Sequence, residues 1–248
     1  MNIGIIIQAR LGSTRLPGKI LLPFYDNQTI IDILLEKLHT IDTNVVVATT
    51  IDPSNDRLVM HLQTKGELIY RGSENDVLDR FIMAAKTFHF DGIIRICSDN
   101  PFIDVEGLST LLKKAQHCDA DYIGFRINGL PSIKTHFGFW GEFVTLNALK
   151  KVAATTDNAQ AHEHVTIHIY SHPNEFQCEW IECPDFIQGR NDIRLTVDTQ
   201  KDFDHARQVY SDLKKDHPDF GLLDIIQYLN QHIELKESMK RIITQNTK

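Results

Sequence analysis

Apolar residues gather into short runs at Ile3–Ile7, Val45–Ala48, Gly92–Ile96, Tyr122–Phe125 and Arg194–Val197. Runs of this length, rich in β-branched residues and bounded by polar or turn residues, predict buried strands. Between them the spacing changes. Ile30, Ile31, Leu34, Leu35 and Leu38 lie on one helical face, as do Val77, Leu78, Phe81, Ile82 and Ala85, and again Leu108, Leu111 and Leu112. Helical spacing returns over 146–154, 163–170 and 203–213. Strands that alternate with helices predict an α/β fold with a largely parallel sheet, in which ligands sit beyond the carboxyl ends of the strands. The pattern loosens over 128–145, where aromatics mix with glycines, and this stretch reads as an antiparallel excursion or a lid. From Glu234 onward a charged tail predicts a loosely attached helix. No internal repeat or low-complexity linker divides the chain, so one domain is expected.

Length and composition narrow the picture without changing it. A chain of 248 residues with 42% apolar residues can build a sizeable core. Its formal charge of −7 argues against nucleic acid as a partner, because a phosphate-binding surface needs a basic excess. No apolar stretch approaches membrane-spanning length, and the N-terminal run is too short for a secretory leader. Cys97, Cys118, Cys178 and Cys183 form no CxxC pair, which predicts reduced thiols in a cytoplasmic protein rather than a zinc or redox site.

Against this acidic background one loop stands out. Directly after the first run come Arg10, Gly12, Ser13, Arg15, Pro17, Gly18 and Lys19. Five residues separate Gly12 from Gly18, and Ile20 follows Lys19, so the phosphate loop GxxxxGK[ST] is not matched; GxGxxG is also absent. Glycines nevertheless let backbone N–H groups approach a phosphate, and Arg10, Arg15 and Lys19 supply forks and a point charge for its oxygens. By residue type alone, a solvated basic loop fits as well as an anion cradle.

The stretch QARLGSTRLPGKIL, Gln8 through Leu21, resembles without a gap the N-terminal signature of the sugar-acid cytidylyltransferases. The likeness is to the acylneuraminate- and Kdo-cytidylyltransferase-like enzymes, in the branch of the spore-coat polysaccharide biosynthesis protein F. Further blocks resemble the family in the family's order: VVVATT (Val45–Thr50), RGSENDVLDRF (Arg71–Phe81), RICSDNPFID (Arg95–Asp104), EHVT (Glu163–Thr166) and RLTVDTQKDF (Arg194–Phe203). Together they cover about residues 1 to 210.

The resemblance implies a three-layer α/β/α fold with a mostly parallel mixed sheet, the nucleotide-diphospho-sugar transferase (GT-A-like) fold. The cytidylyltransferase domain would span 1–235, with 128–145 as an antiparallel excursion, lid or dimer element and 236–248 as a tail. It implies transfer of CMP from CTP to a sugar acid with release of pyrophosphate, for surface-glycan synthesis, by a cytoplasmic homodimer that uses one or two Mg2+ ions. Gln8, Ala9, Arg10, Gly12, Ser13, Arg15 and Lys19 would hold the nucleotide, with Arg71, Asp76 and Arg80 bordering it. Lys19, Arg15 and Arg10 would stabilise the transferring phosphate. Asp99 and Asp198 would hold the metal, each following a strand-like run. Asp202 would sit in the first turn of the following helix as a structural residue that favours its dipole, and Ser73 or Asn75 would cap the helix that contains Arg80, with Asp76 in its first turn.

Glu142, Glu163 and His164 are the implied substrate-side residues. The block around them departs from the family's REHVTPYIY, since His162 replaces the arginine, Ile167 the proline and His168 the tyrosine. It also fails the zinc-protease pattern HExxH, because Thr166 stands where the second histidine belongs. FGFWGEFV, Phe137 to Val144, keeps Gly138 and Glu142 of the family's DGLDVEVF but replaces both aspartates with Phe137 and Trp140. An aromatic wall facing a sugar, or a dimer contact, is expected there. Two other readings remain. One is a nucleotide-sugar glycosyltransferase, disfavoured because the DAD at Asp119–Asp121 precedes its strand rather than following it. The other is a non-catalytic nucleotide-binding relative.

Overall fold

The first apolar run becomes the strand at the middle of the sheet. In a computed structural model, which describes Met1 to Gln245, β1 (Ile3–Gln8) pairs in parallel with strands on both sides. The chain continues through β2 (Pro23–Tyr25), β3 (Gln28–Thr29), α1 (Ile30–Leu38), β4 (Val45–Thr50), α2 (Asp56–Thr64), β5 (Leu68–Gly72), α3 (Val77–Thr87), β6 (Gly92–Cys97) and α4 (Val105–Gln116). It then forms β7 (Tyr122–Ile127), β8 (Leu130–Pro131), β9 (Glu142–Thr145), α5 (Leu146–Thr155), α6 (Ala159–His164), α7 (Ile167–Ser171) and β10 (Cys178–Glu182). Three helices, α8 (Gln200–Asp216), α9 (Leu222–Gln231) and α10 (Ile233–Gln245), close the described chain, and residues 246–248 of the expected tail lie outside it.

The sheet order is β10-β7-β9-β6-β1-β4-β5, with the short β8 on β7. All of these strands are parallel except β8, which opposes β7, and β9, which runs against both β6 and β7 within the 128–145 stretch. Helices cover both faces, giving three layers. Ile5 and Ile7 point into one core with α1, α4, α8 and α9, while Ile6 points into the other with α3 and α5. Each fully buried isoleucine contributes about 1.5–3 kcal/mol, which is why the run codes for a central strand.

From β1 the chain moves to β4 and β5 on one side, then returns through α3 to β6 on the other. The strand order reverses at β1 and β6, and in open α/β sheets of this kind the ligand crevice lies beyond the carboxyl ends of the strands at that point. The residues that follow β1 and β6 are the loop 9–22 and the segment Ser98–Asp104.

Several expectations need correction. Arg194–Val197 is no strand. Leu195 and Val197 are buried, but their backbone N–H groups donate to single loop carbonyls, Leu195 and Thr196 to His136 (2.9 and 3.2 Å) and Val197 to Asp99 (3.0 Å). The helix expected over 163–170 breaks at Val165, whose φ is +56°. The tail is not loosely attached, because Leu235, Met239 and Ile242 of α10 are buried. The edge strands β5 and β10 and the helix α2 lay outside the expected elements.

A capping box starts α1. The Thr29 hydroxyl accepts from the Asp32 N–H, and Asp32 accepts in return from the Thr29 N–H (2.9 Å). Asp32 also takes His61 Nε2 at 2.7 Å and Lys65 Nζ at 3.2 Å from α2, tying the two helices together. Burial alone would raise the Asp32 carboxyl, but the bonds from Thr29 and His61 outweigh it and hold the pKa below the usual aspartate value. The stabilisation is therefore present above about pH 3.9 and is lost as pH falls through the depressed value. Asp32→Asn is expected to lower unfolding free energy at pH 7 and to approach wild type as pH falls through the depressed value, as read by urea unfolding. A gap that stays constant with pH would contradict the assignment.

Candidate active site

The loop after β1 is folded by its own backbone. Ala9 N–H extends the ladder to Ala48 O at 3.1 Å, Leu11 N–H donates to the buried Asn55 side chain at 2.8 Å, and Gly18 N–H returns to Leu11 O at 3.0 Å. Gly18 has φ +69° with open space about its Cα, so a glycine is needed there for conformation rather than for room. The short 3₁₀ turn Lys19–Leu21 follows and directs Lys19 inward, where it is 8% exposed.

Lys19 Nζ lies 3.0 Å from Asp99 Oδ2 and 3.8 Å from Asp198 Oδ1, and also donates to Val197 O. Asp99 comes from the end of β6 and Asp198 from the extended segment before α8. Two acidic residues distant in sequence therefore converge on one cationic atom. Arg15 reaches Asp198 from the solvent side at 2.7 Å. Behind it, Arg194 holds Asp198 at 2.9 Å and Asp202 at 2.7 and 3.0 Å, and donates to His136 Nδ1 at 2.8 Å. Arg194, only 1% exposed, is a structural anchor that the reading of the sequence missed. A cation inside a strand-like run was the signal available for it. Asp202 sits in the first turn of α8 as expected, where it closes the capping box with the N-cap Thr199.

Gly138 (φ +69°) packs where a Cβ would come within 2.8 Å of Asn100 Oδ1, which brings the 134–141 segment against the Asp99 turn. Phe137 and Trp140 do not form an open wall: both are buried, and Trp140 stacks on Phe125 and donates Nε1–H to Asp104 at 3.0 Å. The aromatics that replace the family's aspartates fill the core.

The remaining expected residues divide into groups. Arg10, Gly12 and Arg15 are exposed and Ser13 is half-buried. Arg71 is tied to the loop after β4, donating to Thr50 and Ile51 carbonyls and pairing with Asp56 at 2.8 Å. Arg80 is fully buried. It donates to Ser73 O, but its Nε and Nη2 groups have no partner among the described residues. Burial and then the nearby Arg10 charge depress the Arg80 pKa. Arg10 thus adds a second positive charge near a buried guanidinium two of whose nitrogens lack a partner among the described residues. Asp76 is itself the N-cap of α3 in place of Ser73 or Asn75. It pairs with His162 at 2.8 Å rather than with Arg80, so His162 provides the partner at the position where the family carries an arginine.

Glu142 is 1% exposed and sits in a closed network: Arg95 at 2.9 Å, the Tyr122 hydroxyl, and the Thr166 hydroxyl at 3.0 Å. Arg95 extends the network to Gln8 Oε1 at 3.1 Å. Glu163 and His164 are exposed, one turn away across the γ-turn at Val165, where Thr166 N–H donates to His164 O at 2.6 Å. The structure thus separates Glu142, which is interior, from Glu163 and His164, which face solvent. The Cys97 thiol beside Arg95 is pushed up to about 11 by burial, which leaves it no nucleophilic character at neutral pH.

Asp99 and Asp198 already share a cation, so their arrangement suits a second one. Among the described residues no group of three or more His, Cys, Asp or Glu side chains could hold a metal. Two carboxylates with the remaining positions filled by phosphate oxygens and water is the donor set magnesium takes beside nucleotides, and the residues present fit it.

A family model for cytidylyltransferases matches residues 4–246, so the likeness runs through α8–α10 and well past residue 210. The chain is 33% identical over 240 residues to the spore coat polysaccharide biosynthesis protein SpsF of Bacillus subtilis, covering 93% of this chain and 95% of that protein. A cytidylyltransferase structure from Leptospira borgpetersenii superposes with a TM-score of 0.83 at 29% identity, covering 95% and 96% of the two chains. A CMP:2-keto-3-deoxy-manno-octonic acid synthetase complexed with CTP shares the fold at a TM-score of 0.64 and 17% identity, over 85% of this chain and 98% of that one. The fold is that of the nucleotide-diphospho-sugar transferases.

Proposed function

The chain belongs to the cytidylyltransferase family, and from that premise we propose that it transfers CMP from CTP to a sugar acid or related acceptor, releasing pyrophosphate, for surface-polysaccharide synthesis. The observation that carries the reading is the meeting of Lys19, Asp99 and Asp198 beyond the carboxyl ends of β1 and β6. In such a reaction an acceptor hydroxyl attacks the α-phosphorus and the bond to pyrophosphate breaks. Alignment and charge neutralisation carry the rate, with no covalent intermediate on the protein.

Lys19 and Arg15 bring positive charge to the triphosphate, and Arg10 with the under-bonded Arg80 extends that charge along the crevice. Asp99 and Asp198 would hold magnesium, which supplies neutralisation of phosphate charge when bound. Glu163 and His164, exposed beyond the γ-turn, are the acceptor-side groups of this reading. The enzyme works as a cytoplasmic homodimer in the same reading. No described helix is long and apolar enough to cross a membrane. The Asp119–Asp121 triplet lies before β7, at the opposite end of the sheet from the crevice, which does not favour a glycosyltransferase DxD site.

Pyrophosphate measured with Mg2+, a panel of sugar acids and each of the four nucleoside triphosphates tests this. Release with CTP alone is the expected result. Binding of a nucleotide sugar without pyrophosphate release would favour a glycosyltransferase, and nucleotide binding without turnover a non-catalytic relative.

A further inference from the structure

Gln8 ends β1 at the crevice, in register with Ala48 of β4 and Cys97 of β6. Its side chain lies on the sheet face that carries Arg95, and Arg95 Nη2 donates to Gln8 Oε1 at 3.1 Å. A guanidinium has donors and no acceptor, so it fixes which end of the carboxamide it meets: the oxygen faces Arg95 and the NH2 faces away. Arg95 cannot turn to relax this choice. It is buried and its Nη1 is held by Glu142 at 2.9 Å, while Glu142 is held in turn by Tyr122 and Thr166. The Gln8 NH2 has no hydrogen-bond partner among the described residues, and the residue is half-buried at the mouth of the crevice. The Arg95 charge is already matched by Glu142, so this corner offers a neutral, oriented donor. A base edge is recognised by such a donor; a triphosphate is matched by the cations of the neighbouring loop.

We propose that Gln8 is a specificity residue that selects cytosine over uracil by donating its fixed NH2 to the ring nitrogen N3. That nitrogen is a bare acceptor in cytosine and carries a hydrogen in uracil, where it would meet the NH2 donor to donor. The inference rests on the nucleotidyltransfer reading and adds to it the residue that reads the base and the buried network that orients it. Glu142 and Arg95 act as positioning residues, since they set the amide without touching the nucleotide.

Gln8→Glu supplies the test. The new carboxylate still pairs with Arg95 but presents an acceptor to the crevice, so it repels cytosine N3 and accepts from uracil N3–H. The ratio of kcat/KM for CTP to that for UTP is expected to fall by about tenfold or more, through a higher KM for CTP and a gain with UTP. Gln8→Ala, which removes both donor and acceptor, is expected to lower the ratio without the gain, and serves if the charged variant does not fold. Calorimetric dissociation constants for CTP and UTP give the same ratio independently of turnover. A wild-type protein that binds CTP but releases no pyrophosphate would sink the transfer reading and leave the base-reading test standing. Wild-type turnover with an unchanged ratio in both variants would overturn the role of Gln8 alone.

Discussion

Lys19→Ala lowers the rate of pyrophosphate release by about 10²–10³-fold and leaves the fold intact. The size follows from what the ammonium does. It is the only cation of the loop that is buried, its Nζ lies within 4 Å of both Asp99 and Asp198, and its orientation is set by the 3₁₀ turn that it opens. A preorganised charge in a partly dehydrated crevice meets developing phosphate charge without reorganising, and no water molecule in the truncated variant reproduces it. Stability should change little, because neither carboxylate is left in a dry interior: Asp99 and Asp198 keep 26% and 18% side-chain exposure, and Asp198 keeps Arg15 and Arg194. Lys19→Arg should not restore the rate, since a planar fork cannot occupy the single point between two carboxylates and a carbonyl. Steady-state kinetics paired with thermal melts decide the matter. A Lys19→Ala enzyme with wild-type kcat would remove the lysine from the chemistry. An enzyme that is inactive because it is unfolded would make the residue structural.

Much of this arrangement could be read from the chain, and the limits of that reading are physical. The strands β1, β4, β6 and β7 and the helices α1, α3 and α4 were legible because each buries a periodic set of residues that local spacing reveals. Arg194–Val197 has the same apolar signature, because periodicity reports burial and not the identity of the backbone partner. Its N–H groups meet loop carbonyls rather than a neighbouring strand. The edge strands β5 and β10 escaped for the opposite reason: their faces are half-wetted, and charged residues interrupt the pattern. Residue type could not distinguish an aromatic wall from a core, so Phe137 and Trp140 were placed at the surface. In α10 the buried Leu235, Met239 and Ile242 do recur at helical spacing, but the surrounding charges concealed it. Within the crevice, the loop and its two distant aspartates were named on the strength of a family pattern. The Arg95–Glu142–Tyr122–Thr166 network was not, because it joins four elements that no local window contains.

Removing Arg194 is expected to destabilise the protein by about 3–5 kcal/mol at pH 7. Arg194→Met keeps much of the apolar stem but leaves Asp202, buried in the interior, without its bidentate partner and leaves Asp198 with Arg15 and Lys19 alone. Asp202 also accepts from the Thr199 N–H at 2.9 Å and closes the capping box of α8, so the loss spreads into the start of that helix. The pH dependence identifies the cause. Burial would raise the Asp202 carboxyl, but the bonds and charge of Arg194, followed by the bonds from Thr199, hold it below the ordinary aspartate value. A group depressed in the folded state stabilises above its unfolded pKa of about 3.9 and ceases to do so as pH falls through the lower folded value. The difference between wild type and Arg194→Met should therefore be full at pH 7 and narrow below about pH 4, where protonation of Asp202 removes the stranded charge. Pairing Arg194→Met with Asp202→Asn should recover part of the loss at pH 7, because an amide costs less to bury than an unpaired carboxylate. Urea unfolding of the two single variants and the double variant at both pH values completes the cycle. If Arg194→Met stays within about 1 kcal/mol of wild type at pH 7, below the range for breaking a buried pair, then Arg194 is not the anchor of the Asp198 segment.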